Sequence, residues 1–243
     1  MHSLRWRLAP LAALIAICPA VSRAQDKPKP FEFSADVGLV TTAGNTNVTT
    51  FNLGEKLILR RGRWEHKQQL GSVYAKQDEK QTSNLLLASW RSDFSLHKSI
   101  ALFGLAGFDR NTFAGISRRF EEALGVAAKL MDRPAARWGL ELGFAFNQKY
   151  ATDDTHESFT SLRTGTSFRH DFSKASYAFQ TLEYLPSLKV SADYRINSET
   201  GLVAPVSGHA SLKVGYVVRF SNLPEPGRVK SDRIFTTGLQ FNW

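Results

Sequence analysis

Apolar and polar residues alternate at every second position from Phe31 almost to Trp243, and this more than anything limits what the chain can fold into. Phe31, Phe33, Ala35, Val37 and Leu39 alternate with Glu32, Ser34, Asp36 and Gly38. The same holds for Trp138, Leu140, Leu142, Phe144 and Phe146 against Arg137, Gly139, Glu141, Gly143 and Ala145, and for Leu212, Val214, Tyr216, Val218 and Phe220 against Ser211, Lys213, Gly215, Val217 and Arg219. A period of two puts successive side chains on opposite faces of a strand, and helical spacing is absent. Each segment is about ten residues long, the length a tilted strand needs to cross the hydrocarbon layer of a membrane.

Turn signals separate the segments, among them Arg61-Gly62-Arg63, His97-Lys98-Ser99, Asp132-Arg133-Pro134 and Pro224-Glu225-Pro226-Gly227. They divide the chain into about twelve strands, near 31–42, 48–60, 64–77, 83–96, 100–112, 119–131, 137–150, 158–170, 175–186, 191–205, 210–221 and 232–243. The predicted fold is all-β, an antiparallel transmembrane β-barrel. The count is even, as bacterial single-chain barrels require, and the long connections fall on odd-numbered positions, outside the cell if the N-terminus is periplasmic. A soluble sandwich uses the same alternation and is the competing fold. Two stretches resist assignment. Glu55 shares the parity of Phe51, Leu53 and Leu57, so either a bulge shifts the register or this strand faces something other than lipid. Residues 100–108 are apolar on both faces.

The N-terminus supports export. Arg5 and Arg7 precede an apolar stretch ending at Pro19, with Ala20, Ser22 and Ala24 as small residues near a cleavage point. Residues 1–24 read as a cleaved signal peptide, 25–30 as a periplasmic spacer and 31–243 as the barrel. The single cysteine, Cys18, would leave with the signal; lipid attachment there would need a small residue where Ile17 stands. Loss of Arg5, Arg7 and Arg23 takes the formal charge from +9 to +6. That charge is spread along the chain with no basic cluster interleaved with aromatics. Nucleic acid is therefore a poor partner, and outer-membrane lipids, above all lipopolysaccharide, are better ones.

The last strand carries Phe235, Leu239, Phe241 and Trp243 on one face and ends on an aromatic residue. These four are the expected signal to the barrel-assembly machinery. On the faces opposite the apolar ones stand Asp36, Arg91, Asp93, Glu121, Glu141, Arg163, Arg169, Asp193, Arg195, Lys213 and Arg219, expected to line the lumen. They either pair across the interior and plug it or border a narrow passage. Twelve strands enclose more volume than the eight that side chains fill, which favours a passage. Arg163, Arg169, Arg195, Lys213 and Arg219 would make one wall positive, with the acids on others.

No catalytic constellation emerges. His156 lies near Ser158, but no third, orienting group accompanies them. Asp153, Asp154 and Glu157 lack the pattern of a known calcium loop. No glycine-rich phosphate loop runs from a strand into a helix. The expectation is a protein without enzymatic turnover and without metal or cofactor.

Three stretches together resemble the YdiY-like family, a family of unknown function described as salt-induced outer-membrane proteins. They are residues 38–50 (GLVTTAGNTNVTT); Asp109, Phe113, Arg118, Arg119, Phe120 and Gly125; and Pro224, Gly227, Lys230, Asp232 and Gly238. The resemblance implies an outer-membrane barrel and carries no catalytic residues. The expected function is a narrow channel for small hydrophilic solutes or ions. The alternative is a non-conducting barrel that supports the envelope under osmotic stress.

Overall fold

The computed structural model describes residues 29–42, 48–78 and 80–243. The expected signal peptide, the spacer as far as residue 28 and the turn at residues 43–47 lie outside the described residues. Twelve strands follow in chain order: β1 (Phe31–Thr42), β2 (Val48–Arg61), β3 (Trp64–Gln77), β4 (Lys80–His97), β5 (Ile100–Asn111), β6 (Ile116–Arg133), β7 (Ala136–Ala151), β8 (His156–Asp171), β9 (Tyr177–Pro186), β10 (Tyr194–Ser207), β11 (Ala210–Ser221) and β12 (Ser231–Asn242). Each pairs antiparallel with its sequence neighbours, and β1 pairs with β12, so the sheet closes into a barrel. Closure removes both sheet edges, which is what a strand-built body needs where no water is available to backbone groups.

Two-residue turns join β2 to β3, β4 to β5, β6 to β7 and β10 to β11 at the end of the barrel that carries Phe31 and Trp243. Gly62 and Gly208 supply the positive φ that such tight hairpins need. Longer connections, including 187–193 and 222–230, gather at the opposite end.

The distribution of side chains inverts that of a soluble protein. Leu124, Leu142, Phe144 and Phe235 are more than half exposed on the outer surface, while Arg163 and Asn147 are buried inside. Aromatic residues mark both rims. Trp64, Trp138, Phe172 and Trp243 lie toward the short-turn end, and Phe108, Phe120, Tyr150, Tyr184, Tyr194 and Phe220 toward the other, with aliphatic residues and a few aromatics such as Trp90 and Phe144 between. Such girdles are characteristic of transmembrane barrels.

Register resolves the two ambiguous stretches. In β5, Phe103 pairs across from Asp93 and Gly125 and points inward, where it forms a small apolar cluster with Ala123 and Ala145; Leu102 and Phe108 therefore face out. In β2, pairing runs unbroken over residues 48–59 with β1 and 48–61 with β3, so no bulge is present and Glu55 faces outward. β10 begins at Tyr194, three residues later than its sequence pattern suggests. A tight bend precedes it, in which Ser187 N–H donates to Asp193 O and Asp193 N–H to Val190 O (2.8 and 2.9 Å).

Close strand approach depends on inward glycines. A Cβ added at Gly143 would lie 2.4 Å from Leu124 O, and one at Gly125 would lie 2.8 Å from the Phe103 ring. Gly143→Val should force β6 and β7 apart and cost about 1–3 kcal/mol, the usual range for overpacking a filled interior. A lowered urea midpoint for loss of the heat-modifiable band checks this; an unchanged midpoint would mean the pair has room to spare.

Candidate functional site

Strand parity and register turn ten of the eleven residues expected in the lumen to the interior: Asp36, Arg91, Asp93, Glu121, Glu141, Arg163, Arg169, Arg195, Lys213 and Arg219. Asp193 stands in the connection before β10, at the mouth opposite the short turns. Burial raises its carboxyl above the usual range, against the pull of Lys149 and Arg195.

Arg163 is the hub. It donates to Glu121 (2.9 Å), to Glu141 (3.1 Å) and to Glu183. Glu141 also accepts from Arg91, which holds Asp93 at 2.8 Å. Glu121 also meets Arg195 (3.4 Å), and Arg195 donates to Asn147 Oδ1 (2.8 Å). The network extends from Asp93 through Lys67 and Glu65 to Arg60 and Glu32. Arg195 on β10 reaches Glu121 on β6, and Arg91 on β4 reaches Glu141 on β7, so the network crosses the interior as well as following the wall. Glycines make room for it: a Cβ at Gly165 would meet the Glu141 carboxylate at 2.8 Å, and one at Gly54 would meet that of Asp36 at 2.4 Å.

The expected separation into a positive and a negative wall is not found. Four of the five clustered cations are matched locally: Arg163 by three carboxylates, Arg195 by Glu121, Arg169 by Asp171 (2.7 Å) and Lys213 by Asp36 (3.3 Å); the buried Arg219 Nε has no hydrogen-bond partner among the described residues. Cations held out of water need such partners, since an unpaired buried charge costs several kcal/mol. Several inward charges were not among those expected in the lumen: Arg60, Glu65, Lys67, Asp109, Arg119, Lys149 and Glu183. All but Glu183 lie toward strand ends, and all share the inward parity, which was the available signal.

The β1–β2–β3 wall is different. Lys56 on β2 pairs in register with Ser34 and Gln69, close to the inward Gly54 and Gly71. It lies deep within the barrel, surrounded by protein, and its side chain is nevertheless accessible to water, as is that of Gln69. Arg195, equally deep, is only 8% exposed.

The connection at 222–230 spans the mouth at the long-loop end. Its Glu225 accepts from Lys149 of β7 (2.8 Å), and a Cβ at Gly115, in the β5–β6 connection, would lie 2.7 Å from Glu225 Cβ. Gly115 has φ +80° and is the only kind of residue that combines this backbone with that contact. Nearby, Asn111 of β5 donates to Asp232 of β12 (3.0 Å).

Of the other candidate groups, Glu157 faces inward and pairs with Lys149 (3.3 Å), and the rest lie apart from the interior. Asp153 accepts from Thr155 N–H and Oγ1 (3.0 and 2.6 Å), which holds its carboxyl below the usual range and ties the loop together. His156 packs on Tyr150 at 4.4 Å. Among the described residues, no group of three or more His, Cys, Asp or Glu side chains could hold a metal ion. On β12, Phe235, Leu239 and Phe241 face outward, and Trp243 follows the strand end with its ring 5.5 Å from that of Phe33.

The network makes a stability prediction. Arg163→Gln removes the cation shared by Glu121, Glu141 and Glu183 and should cost about 3–5 kcal/mol. Arg169→Gln, at a third-exposed site, should cost about 0–1 kcal/mol. Urea unfolding of the two variants beside wild type checks the contrast, and equal losses would remove Arg163 from the role of hub.

The sequence pattern of the family described as "Protein of unknown function, DUF481" matches residues 35–243. Comparison with curated protein sequences gives no match. Among solved structures, the barrel is similar to an outer membrane channel from Pseudomonas putida F1, at 10% identity and TM-score 0.53, over 93% of this chain and 99% of that one. It is also similar to the NanC porin (7% identity, TM-score 0.48, over 86% of this chain and 97% of that one) and to the translocator domain of the autotransporter NalP from Neisseria meningitidis (11%, 0.48, 88% of each). At these identities the likeness concerns the fold, and the argument rests on the first.

Proposed function

Since the chain belongs to the DUF481 family, whose description assigns no function, we propose from the barrel itself that it is an outer-membrane permeability protein. It passes small hydrophilic solutes or ions without turnover. The observation that carries this reading is Lys56, a deep interior cation that water reaches and that has no carboxylate partner among the described residues. A side chain can be both enclosed and hydrated where it borders a water-filled space. The path runs along the β1–β2–β3 wall at the level of Lys56, where Gly71, Ser34 and Gln69 leave room, while the ion pairs from β4 to β10 occupy the other side of the section. Lys56 gives that path a preference for anions.

A second reading, a non-conducting barrel that stiffens the envelope, is favoured by the bonds from Arg195 to Glu121 and from Arg91 to Glu141, which cross the lumen. Planar-bilayer recording of the purified protein separates the two. The expected result is small conductance steps with an anion preference that Lys56→Glu reverses. A folded wild-type barrel without conductance would leave the structural reading in its place.

Location and assembly belong to the same proposal. The protein is inserted in the outer membrane, in contact with lipopolysaccharide, and the assembly machinery reads Phe235, Leu239, Phe241 and Trp243. Trp243 also joins the two ends of the sheet: its N–H donates to Phe33 O (2.9 Å) and Phe33 N–H donates to its O (3.3 Å). Trp243→Asp should lower the membrane level of heat-modifiable protein several-fold, read by immunoblot of carbonate-washed membranes. Normal levels would show that the terminal aromatic is not needed for insertion.

A further inference from the structure

Among the described residues, two carboxylates lie on the outward face along the strands: Glu55 in the middle of β2 and Glu122 in β6. The unbroken register of β2 fixes the direction of Glu55, leaving the alternative that this strand faces something other than lipid. An ionisable group turned outward at mid-barrel carries a solvation cost in hydrocarbon and marks a contact or a function.

Both fall in one sector of the wall. Between them stand Gln68 on β3, His66 on β3, hydrogen-bonded to Ser92 Oγ (2.9 Å), and the small outward residues Ala88, Gly104 and Ala106. The small residues open a groove of about 580 Å³ bordered by Trp90, Glu122, Phe144 and Phe146. Polar residues on the far sector satisfy one another: Gln180 donates to Ser198 Oγ at 2.8 Å and accepts from Thr200. Here they do not. Glu55 has Gln68 Nε2 at 3.5 Å, the limit of a hydrogen bond, and Glu122 has no hydrogen-bond or ion-pair partner among the described residues.

We propose that the outward face of β2 to β6 is the contact surface for a second copy of this chain. A two-fold contact places the same patch against itself, so it needs donors and acceptors together. The patch has both: carboxylates at Glu55 and Glu122, and the Gln68 amide and His66 ring as donors. Small residues let two walls approach closely, and polar groups then bond across the contact, the arrangement that drives association within lipid. An acyl chain would fill the groove but offer Glu55 no donor at that depth.

The inference rests on the membrane-spanning reading, and its test distinguishes the two. Ser72→Cys places a thiol on the outward face of β3 in a mature sequence otherwise free of cysteine. In intact outer membranes a short bis-maleimide should then trap a homodimer, whereas Thr237→Cys on β12 should not. Adding Glu55→Leu and Glu122→Leu should reduce trapping by about tenfold while the heat-modifiable band persists. Three outcomes overturn the proposal: an inserted barrel that stays monomeric, cross-linking to a different protein, or a dimer indifferent to both leucines. Recovery of the wild-type protein from the soluble periplasm would instead overturn the membrane-spanning reading.

Discussion

Arg163 and its three carboxylates occupy the place that a hydrophobic core holds in a soluble domain. A closed sheet with its apolar face outward must fill its interior with the other face of the same strands, and here that face is charged. Charges withdrawn from water are costly unless paired, and Arg91, Arg163 and Arg195 each recruit an acid from a strand two to four places away. The small apolar cluster of Phe103, Ala123 and Ala145 sits beneath this network, with the Arg91 guanidinium 4.1 Å from the Phe103 ring centroid. What remains open inside the barrel is therefore set by where the ion pairs stop. On β1, β2 and β3 they are confined to the chain of Lys67, Glu65, Arg60 and Glu32 toward the short-turn end and to the pair of Asp36 with Lys213, and between these Lys56 is left exposed.

The strands were legible because their period is two and their turns carry recognisable residues. All twelve expected spans lie within about three residues of the observed strands at each end, and the direction of each inward charge on a strand followed from parity. Partners were not legible. Whether Arg163 meets Glu121 or Glu199 depends on which strands lie across the lumen and how they are staggered, and alternation along one strand says nothing about that. The notion of opposed charged walls failed for this reason: it grouped residues by sequence neighbourhood, whereas closure brings β6 within reach of β10. The span of the 222–230 connection was equally hidden, since only the closed ring places Gly115 beneath Glu225. Glu55 shows the reverse case. The sequence stated two alternatives, and the unbroken ladder of β2 removed one.

The comparisons bear on the same division. Similarity to an outer membrane channel at 10% identity speaks for the architecture of the wall, which many sequences can satisfy because it asks only for alternation. The contents of the lumen are particular to this chain, and so are the polar residues on its outer face. Both the passage and the contact between copies are argued from those residues and not from the fold.

The seam between β1 and β12 has a kinetic side. Its register runs over residues 34–37 and 239–242, shorter than any other in the ring, and it joins positions about two hundred residues apart. Every other strand pair is a hairpin and can form locally, whereas this one must wait for the chain ends to meet, with the largest loss of chain entropy. Closure is therefore the last event in folding. The bonds gathered there, Phe33 with Trp243 and Lys213 reaching past β12 to Asp36, act as a clasp that turns a curled sheet into a ring. A ring whose final joint is its shortest also has a defined place of first failure. Under heat or detergent the wall should part at β1 and β12 while the hairpins of β3 to β10 remain paired.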